Sequence, residues 1–469
     1  MTKSLRTIQT EINEEKPFSD CKLDRRKYAE NLTNIIRNYP TGFVLALNNR
    51  WGDGKTFFIN RWRQLLKKEG FQTIYYNAWK DDFADNALLS IIAELTEDIE
   101  NPDKKLLENV LQKGTTLFAR SLPILLKAVL KKGVGEYGFD ELAELIAKET
   151  GDSFKKLIDE HKKQKETISD FKKALREFAF DAGNGKPLVF FIDELDRCKP
   201  SYAVEVLEVI KHFFDVDNIV FVLSIDKTQL ANSVRGYYGS DKIDGNEYLK
   251  RFIDVEYSLP KPISLSFFFD QQYEKYNFAG ILTGDRLKYQ ELREDNNHFK
   301  TIIPLFFEDK NLNLRQVERL MSKTRLIMYS FKQNEFMWPV LLTVLVYLNS
   351  EKPENYSKIR NREFQLWEIV ELNKSLFSSA NTNNKRDIPH GLILLEFAFL
   401  SMYSNYKKET SYSSLAEDDF KKTFASYSLD VGKLFAITSS NELSFRTRDL
   451  GLNYLLERIE LNQSLHLTN

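Results

Sequence analysis

Apolar residues along this chain fall into two kinds of pattern: short unbroken runs, and longer stretches at helical spacing. The short runs are Phe43–Leu47, Thr73–Tyr76, Leu188–Ile192 and Ile219–Ile225. They are rich in β-branched and aromatic residues and sit beside turn signals such as Gly70 and Asn184-Gly185-Lys186-Pro187, the pattern of buried strands. Phe252–Leu259, closed by Pro260, is predicted as a last strand. Between them lie helical stripes: Tyr28, Leu32, Ile35 and Ile36, then Phe58, Ile59, Trp62, Leu65 and Leu66, then Ala203, Val206, Leu207, Ile210 and Phe213. Strands alternating with helices predict an α/β fold with a parallel sheet flanked by helices. From Trp79 to Phe178 the sequence is helical and rich in Lys and Glu, with breaks near Asn101-Pro102, Gly133-Val134-Gly135 and Gly151. That stretch is too long for a simple crossover, so a helical insertion is predicted at about 83–180. Beyond Pro260 no strand is expected. The predicted domains are a core over 1–260, a helical lid-like domain over 261–335 and a C-terminal helical domain over 336–469 with a polar break at Asn381–Lys385.

Composition narrows the class. At 469 residues the chain exceeds what one compact core usually holds, and 42% hydrophobic with 29% charged residues is globular rather than disordered. A net charge of −1 supplies no global field toward nucleic acid or an anionic membrane. Only local clusters such as Lys131-Lys132 and Lys162–Lys165 are left for nucleic acid, and such clusters are more often solvated helix faces. Two cysteines, Cys21 and Cys198, cannot build a disulfide framework and fit a reducing compartment. The five histidines show no metal-ligand spacing. The first residues lack the apolar core of a signal peptide. Leu117–Leu130 is broken by Arg120, Pro123 and Lys127, and Met337–Leu348 is too short to span a bilayer, so both are expected as buried helices. A cytoplasmic protein without a membrane partner is expected.

Chemistry enters where the first strand stops. Phe43–Leu47 gives way to the polar turn Asn48–Asp53, and helical spacing resumes at Lys55. Strand, tight turn and helix is the setting of a phosphate-binding loop. Gly52 and Gly54 allow successive backbone N–H groups to turn around an anion, Lys55 can reach β- and γ-phosphates, and the Thr56 hydroxyl can sit on Mg²⁺. The helix beginning there aims its positive end at the phosphates. The loop pattern asks for glycine where this chain has Asn49, a residue type that tolerates the left-handed region. The alternative is a strand, turn and helix that bind nothing. At the end of the next long run, Asp193 stands at a strand tip suited to hold Mg²⁺ through water, and Glu194 beside it can deprotonate an attacking water. Their alternative is an acidic turn capping the next helix. Asp226, at the end of Ile219–Ile225, either polarises the γ-phosphate site or caps the helix that follows. Arg235, Arg315 and Arg319 are candidates for reading the γ-phosphate, and Arg197 is either a finger or an internal ion-pair partner. Lys55, Asp193 and Asp226 all end strands, where ligands bind in open parallel sheets.

With these segments placed, the chain resembles the KAP-family P-loop NTPases, relatives of the AAA+ and STAND proteins. The resemblance rests on Asp20–Arg25 with Tyr28-Ala29, on Asn49–Thr56 and Tyr76-Asn77-Ala78-Trp79, on Ile192–Cys198 and Val222–Asp226, and on Tyr248-Leu249 and Leu259-Pro260. It spans about Phe18 to Leu320. It implies an additional-strand sheet and binding of ATP with Mg²⁺. It also implies that Asn49, Trp51, Gly52, Asp53, Gly54, Lys55, Thr56, Phe57 and Arg25 surround the nucleotide, with Thr56 and Asp193 at the metal. Glu194 is then the base, Asp193, Lys55 and Asp226 assist it, and Arg315 matches a sensor arginine. Many members of the family carry transmembrane helices between the two motifs; here that stretch is polar. Phage-exclusion proteins in the family make antiviral defence a plausible setting. The leading expectation is an ATP-hydrolysing switch that engages a protein partner or sister subunits through its C-terminal helices. The alternatives are a hydrolysis-deficient nucleotide-binding scaffold and a DNA-acting ATPase.

Overall fold

A computed structural model describes residues 12–21, 23–39, 41–83, 86–99, 102–133, 152–213, 215–260, 265–377, 388–409, 411–439 and 450–462, with backbone alone for 119–133, 152–161 and 213. Of the expected breaks, Asn101, Val134-Gly135, Gly151 and Asn381–Lys385 lie outside these residues, as do the side chains of Lys131-Lys132. The chain divides into two compact units, Glu11–Lys261 and a second that contains Pro262–Asn469.

In the first unit the elements run α1 (Arg26–Asn38), β1 (Phe43–Asn48), α2 (Lys55–Lys68), β2 (Thr73–Asn77), α3 (Ala87–Glu97), α4 (Lys104–Gly133) and α5 (Asp152–Gly183). They continue with β3 (Leu188–Asp193), α6 (Pro200–Phe213), β4 (Ile219–Ile225), α7 (Lys227–Tyr238), α8 (Gly245–Leu249) and β5 (Val255–Tyr257). The five strands form one parallel sheet in the order β2-β3-β4-β1-β5. The strand that leads to Asp226 therefore lies between the one that feeds the glycine loop and the one ending at Asp193, which is the additional-strand arrangement. Register aligns the carboxyl ends: Asn77 lies opposite Asp193, and Asp193 opposite Ser224.

Every residue of β3 and β4 is buried, as expected for strands covered on both faces. Because side chains alternate along a strand, the two faces belong to separate clusters. Leu45, Leu47, Val189, Phe191, Val220 and Val222 pack with Phe58 and Trp62 of α2 and Leu32 and Ile36 of α1. The fully buried Trp62 stands edge-on to Phe191 at 5.3 Å and donates its indole N–H to Thr33 at 2.9 Å. Ala46, Phe190, Ile192, Phe221 and Leu223 face the other way, onto Ile91, Leu95, Val110, Leu117, Phe171 and Phe178. The described helices of the insertion thus cover one face of the sheet.

Phe252–Leu259 shortens to the strand Val255–Tyr257. This is an edge strand paired only with Leu45–Leu47 of β1, and two of its residues are exposed. Phe252 turns instead into the helix-side cluster after α8.

Among the described residues the second unit holds no strand. Its helices include Ser266–Lys275, Asp295–Asp309, Leu314–Met328, Pro339–Glu351, Leu366–Leu376 and His390–Lys407. Phe306 packs on both Tyr347 and Phe377, so residues on either side of position 335 share one core. Pro339 through Leu348 is wholly buried. No described helix is long and apolar enough to cross a membrane.

Candidate functional site

The turn between β1 and α2 closes because Gly52 and Gly54 take positive φ values of 89° and 78°, where a side chain would be strained. Arg25, at the start of α1 and only 3% exposed, grips this turn from its carbonyl side. Its guanidinium donates to the carbonyl oxygens of Asp53 at 2.8 Å and Gly54 at 3.2 Å. Burial lowers its pKa, while nearby Cys21 and Asp53 act to raise it. Arg25 thus shapes the loop from behind.

Lys55 is buried and donates to the carbonyl oxygens of Asn49 at 2.6 Å and Arg50 at 3.3 Å. Desolvation lowers its pKa, and the carboxylates of Asp196, Asp226, Asp193 and Asp53 pull it back. Asn49 is not among the residues with positive φ, so the expected use of the left-handed region is not what fits it here. Its amide instead clasps the backbone of Leu259: Nδ2 donates to the carbonyl at 3.0 Å and Oδ1 accepts the N–H at 2.8 Å. Leu259 lies just past β5, and a glycine at position 49 could make neither bond. The Phe57 ring is covered by the Arg61 guanidinium at 3.3 Å, which also pairs with Asp20.

Asp193 ends β3 almost wholly buried, at 1% exposure. Its Oδ2 accepts from the Thr56 hydroxyl at 2.8 Å and from the Tyr75 hydroxyl at 3.2 Å, and its Oδ1 from the Glu194 N–H at 3.0 Å. Desolvation first, and the Asp193 charge second, push the Tyr75 hydroxyl above its ordinary pKa and keep it a donor. Glu194 holds a positive φ of 61°, an uncommon conformation for a side-chain-bearing residue and one that recurs at functional sites. Arg197 pairs with its Oε1 at 2.7 Å and Asn77 donates to Oε2 at 3.3 Å. Arg197 also lies 5.3 Å from the ring of the exposed Trp79. Of the two roles left open for Arg197, the structure has the ion pair.

Asp226 caps α7 by accepting from the N–H groups of Thr228 at 3.2 Å and Gln229 at 3.3 Å. Its other oxygen accepts the Trp51 N–H at 3.3 Å, so it also fastens the loop. The Trp51 indole donates to Asp196. Burial raises the Asp196 pKa, and that hydrogen bond and Lys55 oppose the rise. Arg235 turns to its own surroundings, donating to Asn232 at 2.7 Å and the Ile243 carbonyl at 3.3 Å. Arg315 and Arg319 belong to the second unit, on Leu314–Met328, where Glu318 is paired with Lys275 at 2.7 Å.

Tyr75, Asn77 and Asp196 were not singled out as site residues. Tyr75 and Asn77 sit at the end of β2, level with Asp193. Asn77 and Asp196 lie within segments that carry the family resemblance, whereas Tyr75 carries no such signal. Among the described residues no cluster of three or more His, Cys, Asp or Glu could hold a metal by itself.

The chain is similar to known proteins. An uncharacterised protein of Methanocaldococcus jannaschii is 30% identical over 175 residues, which covers 32% of this chain and 88% of that protein. The phage T7 exclusion protein of Escherichia coli is 27% identical over 74 residues, 16% of this chain and 10% of that protein's own length. The ORC2 protein of Aeropyrum pernix, solved in ADPNP–ADP complexes, aligns over 89% of this chain and 95% of its own at 15% identity, with a TM-score of 0.34. The model of the KAP family P-loop domain matches residues 25–330, a span that takes in Arg25, the glycine loop, Asp193, Glu194 and all five strands, and the chain therefore belongs to the KAP family of P-loop NTPases.

Proposed function

We propose that this chain binds ATP with Mg²⁺ and hydrolyses it, acting as a molecular switch whose helical unit engages a protein partner or sister subunits. The observation that carries this reading is the 2.8 Å bond between Thr56 and Asp193. It joins the first turn of the loop helix to the acidic strand end, and Glu194 follows directly. A hydroxyl and a carboxylate are hard oxygen donors, the chemistry Mg²⁺ takes when phosphates and water complete its shell. Bound there, Mg²⁺ would neutralise charge on the phosphate oxygens.

The chain's own residues do the rest. Lys55 exchanges its loop carbonyls for the β- and γ-phosphates, and the turn held by Arg25 presents backbone N–H groups to them. Gly52 and Gly54 keep that approach open, with Trp51 and Asp53 between them. Glu194 accepts the proton of the attacking water as its oxygen bonds to the γ-phosphorus and the β–γ bridging bond breaks, leaving ADP and phosphate. Asp226 keeps the loop in register from the neighbouring strand. Arg315, which matches a sensor arginine in sequence, is the candidate to supply positive charge to the γ-phosphate.

The similarity to the phage T7 exclusion protein supports defence against phage as the setting, over a short segment. Two free cysteines support a cytoplasmic location. One observation favours the second reading, a nucleotide-holding scaffold: both oxygens of Glu194 are engaged, by Arg197 and by Asn77. Steady-state hydrolysis and calorimetric ATP binding, measured on the unmodified protein and on Glu194→Gln, separate the two. A switch loses turnover in the variant and keeps binding. A scaffold binds ATP without turnover in either form.

A further inference from the structure

The Asp193 carboxylate is held by more than the loop. Tyr75 reaches it from β2, and Tyr75 is itself held at three points. Its backbone N–H donates to Asp98 at 2.6 Å, its ring lies 4.8 Å from the Arg63 guanidinium, and its hydroxyl donates to Asp193 at 3.2 Å. Arg63 completes the frame by donating to the same Asp98 oxygen at 2.8 Å. Arg63 belongs to α2, the helix that begins at the glycine loop, and Asp98 is the C-cap of α3, the first helix of the insertion. Three elements therefore converge on one tyrosine, and its free end is aimed at one carboxylate oxygen.

That oxygen is shared. Thr56 and Tyr75 both donate to Oδ2, while Oδ1 takes the Glu194 N–H. A threonine hydroxyl that turns to a metal ion gives up its bond to Asp193. Tyr75 is then the side chain that still fixes the carboxylate, because its frame does not involve the loop.

On the reading that Thr56 and Asp193 hold Mg²⁺, we propose that Tyr75 is a positioning residue for the metal carboxylate, kept in place by Asp98 and Arg63. The insertion thereby reaches the metal site through α3: whatever shifts the α3 C-terminus shifts the donor on Asp193. Tyr75 touches neither nucleotide nor water in this scheme and acts only through Asp193.

The test is Tyr75→Phe, which keeps the ring over Arg63 and the backbone bond to Asp98 and deletes the hydroxyl alone. Mn²⁺, a spectroscopic stand-in for Mg²⁺, is titrated into the protein with excess ADP and followed by electron paramagnetic resonance. ADP affinity without metal is measured alongside. Outer-shell partners of metal ligands are worth about 10–100-fold in affinity. Because the Glu194 N–H remains on Asp193, a loss near the low end, about tenfold in Mn²⁺ affinity, is expected. Metal-free ADP affinity stays within twofold, and Asp98→Asn shows a smaller loss of the same kind. Equal Mn²⁺ affinity in Tyr75→Phe and the unmodified protein overturns the inference and leaves the nucleotide reading standing. Absence of any metal-dependent nucleotide binding in the unmodified protein overturns both. A fall in metal-free ADP affinity equal to the fall in Mn²⁺ affinity also overturns it, since the hydroxyl would then be supporting the loop as a whole.

Discussion

Replacing Arg25 with alanine tests whether the loop is shaped from its carbonyl side. Arg25 is 3% exposed, and its guanidinium makes one short and one long hydrogen bond, 2.8 Å to Asp53 and 3.2 Å to Gly54. Hydrogen bonds to a charged group contribute roughly 1.5–3 kcal/mol each, and the longer one belongs at the low end of that range. Keeping a guanidinium out of water, which is why its pKa is lowered, offsets part of the sum. About 2 kcal/mol of loop preorganisation remains, and a loop less often in its binding conformation binds more weakly by that fraction. The expected loss is roughly 30-fold in nucleotide affinity. Arg25→Lys should fall between, because an ammonium cannot follow both carbonyls with a planar fork. Calorimetry with ADP reads the affinity, and thermal unfolding without nucleotide reports damage outside the loop. An Arg25→Ala protein that binds ADP within twofold of the unmodified one would refute the reasoning and leave Arg25 a packing residue.

Two further expectations concern the second unit. Arg315→Ala should lower hydrolysis at least about tenfold, scaled down from the 10³–10⁵ of arginine fingers, with much less effect on ATP binding; turnover within twofold of the unmodified protein rejects Arg315 as the γ-phosphate cation. Glu396, on His390–Lys407 and 1% exposed, accepts the Leu429 N–H, and burial pushes its carboxyl up to about 8 from an ordinary 4.5. Between those values the unfolded chain releases its proton and the folded one keeps it, so stability falls as pH rises through that window and levels off above it. Glu396→Gln should flatten the decline in unfolding temperature between pH 5 and about 8, and an unchanged slope would remove Glu396 as its source.

The sequence alone was enough to locate β1, β3 and β4, because strands largely covered on both faces are mostly apolar and no distant contact is needed to read that. The loop was equally local, since Gly52, Gly54, Lys55 and Thr56 are neighbours whose spacing already implies a turn into a helix. The weak strand β5 was overextended, because an exposed edge places little demand on composition and Phe252 carries an apolar signal spent elsewhere. Only the tertiary structure decided what meets Asp193. Thr56 lies 137 positions away and Tyr75 lies 118, and no local pattern records which side chain a strand end will face. The same holds for Asn49. As a letter it is a missing glycine; beside Leu259, 210 positions on, it becomes a paired amide. Hydrophobic periodicity is written residue by residue, whereas a hydrogen bond across a sheet exists only once strand order and register have brought its two ends together.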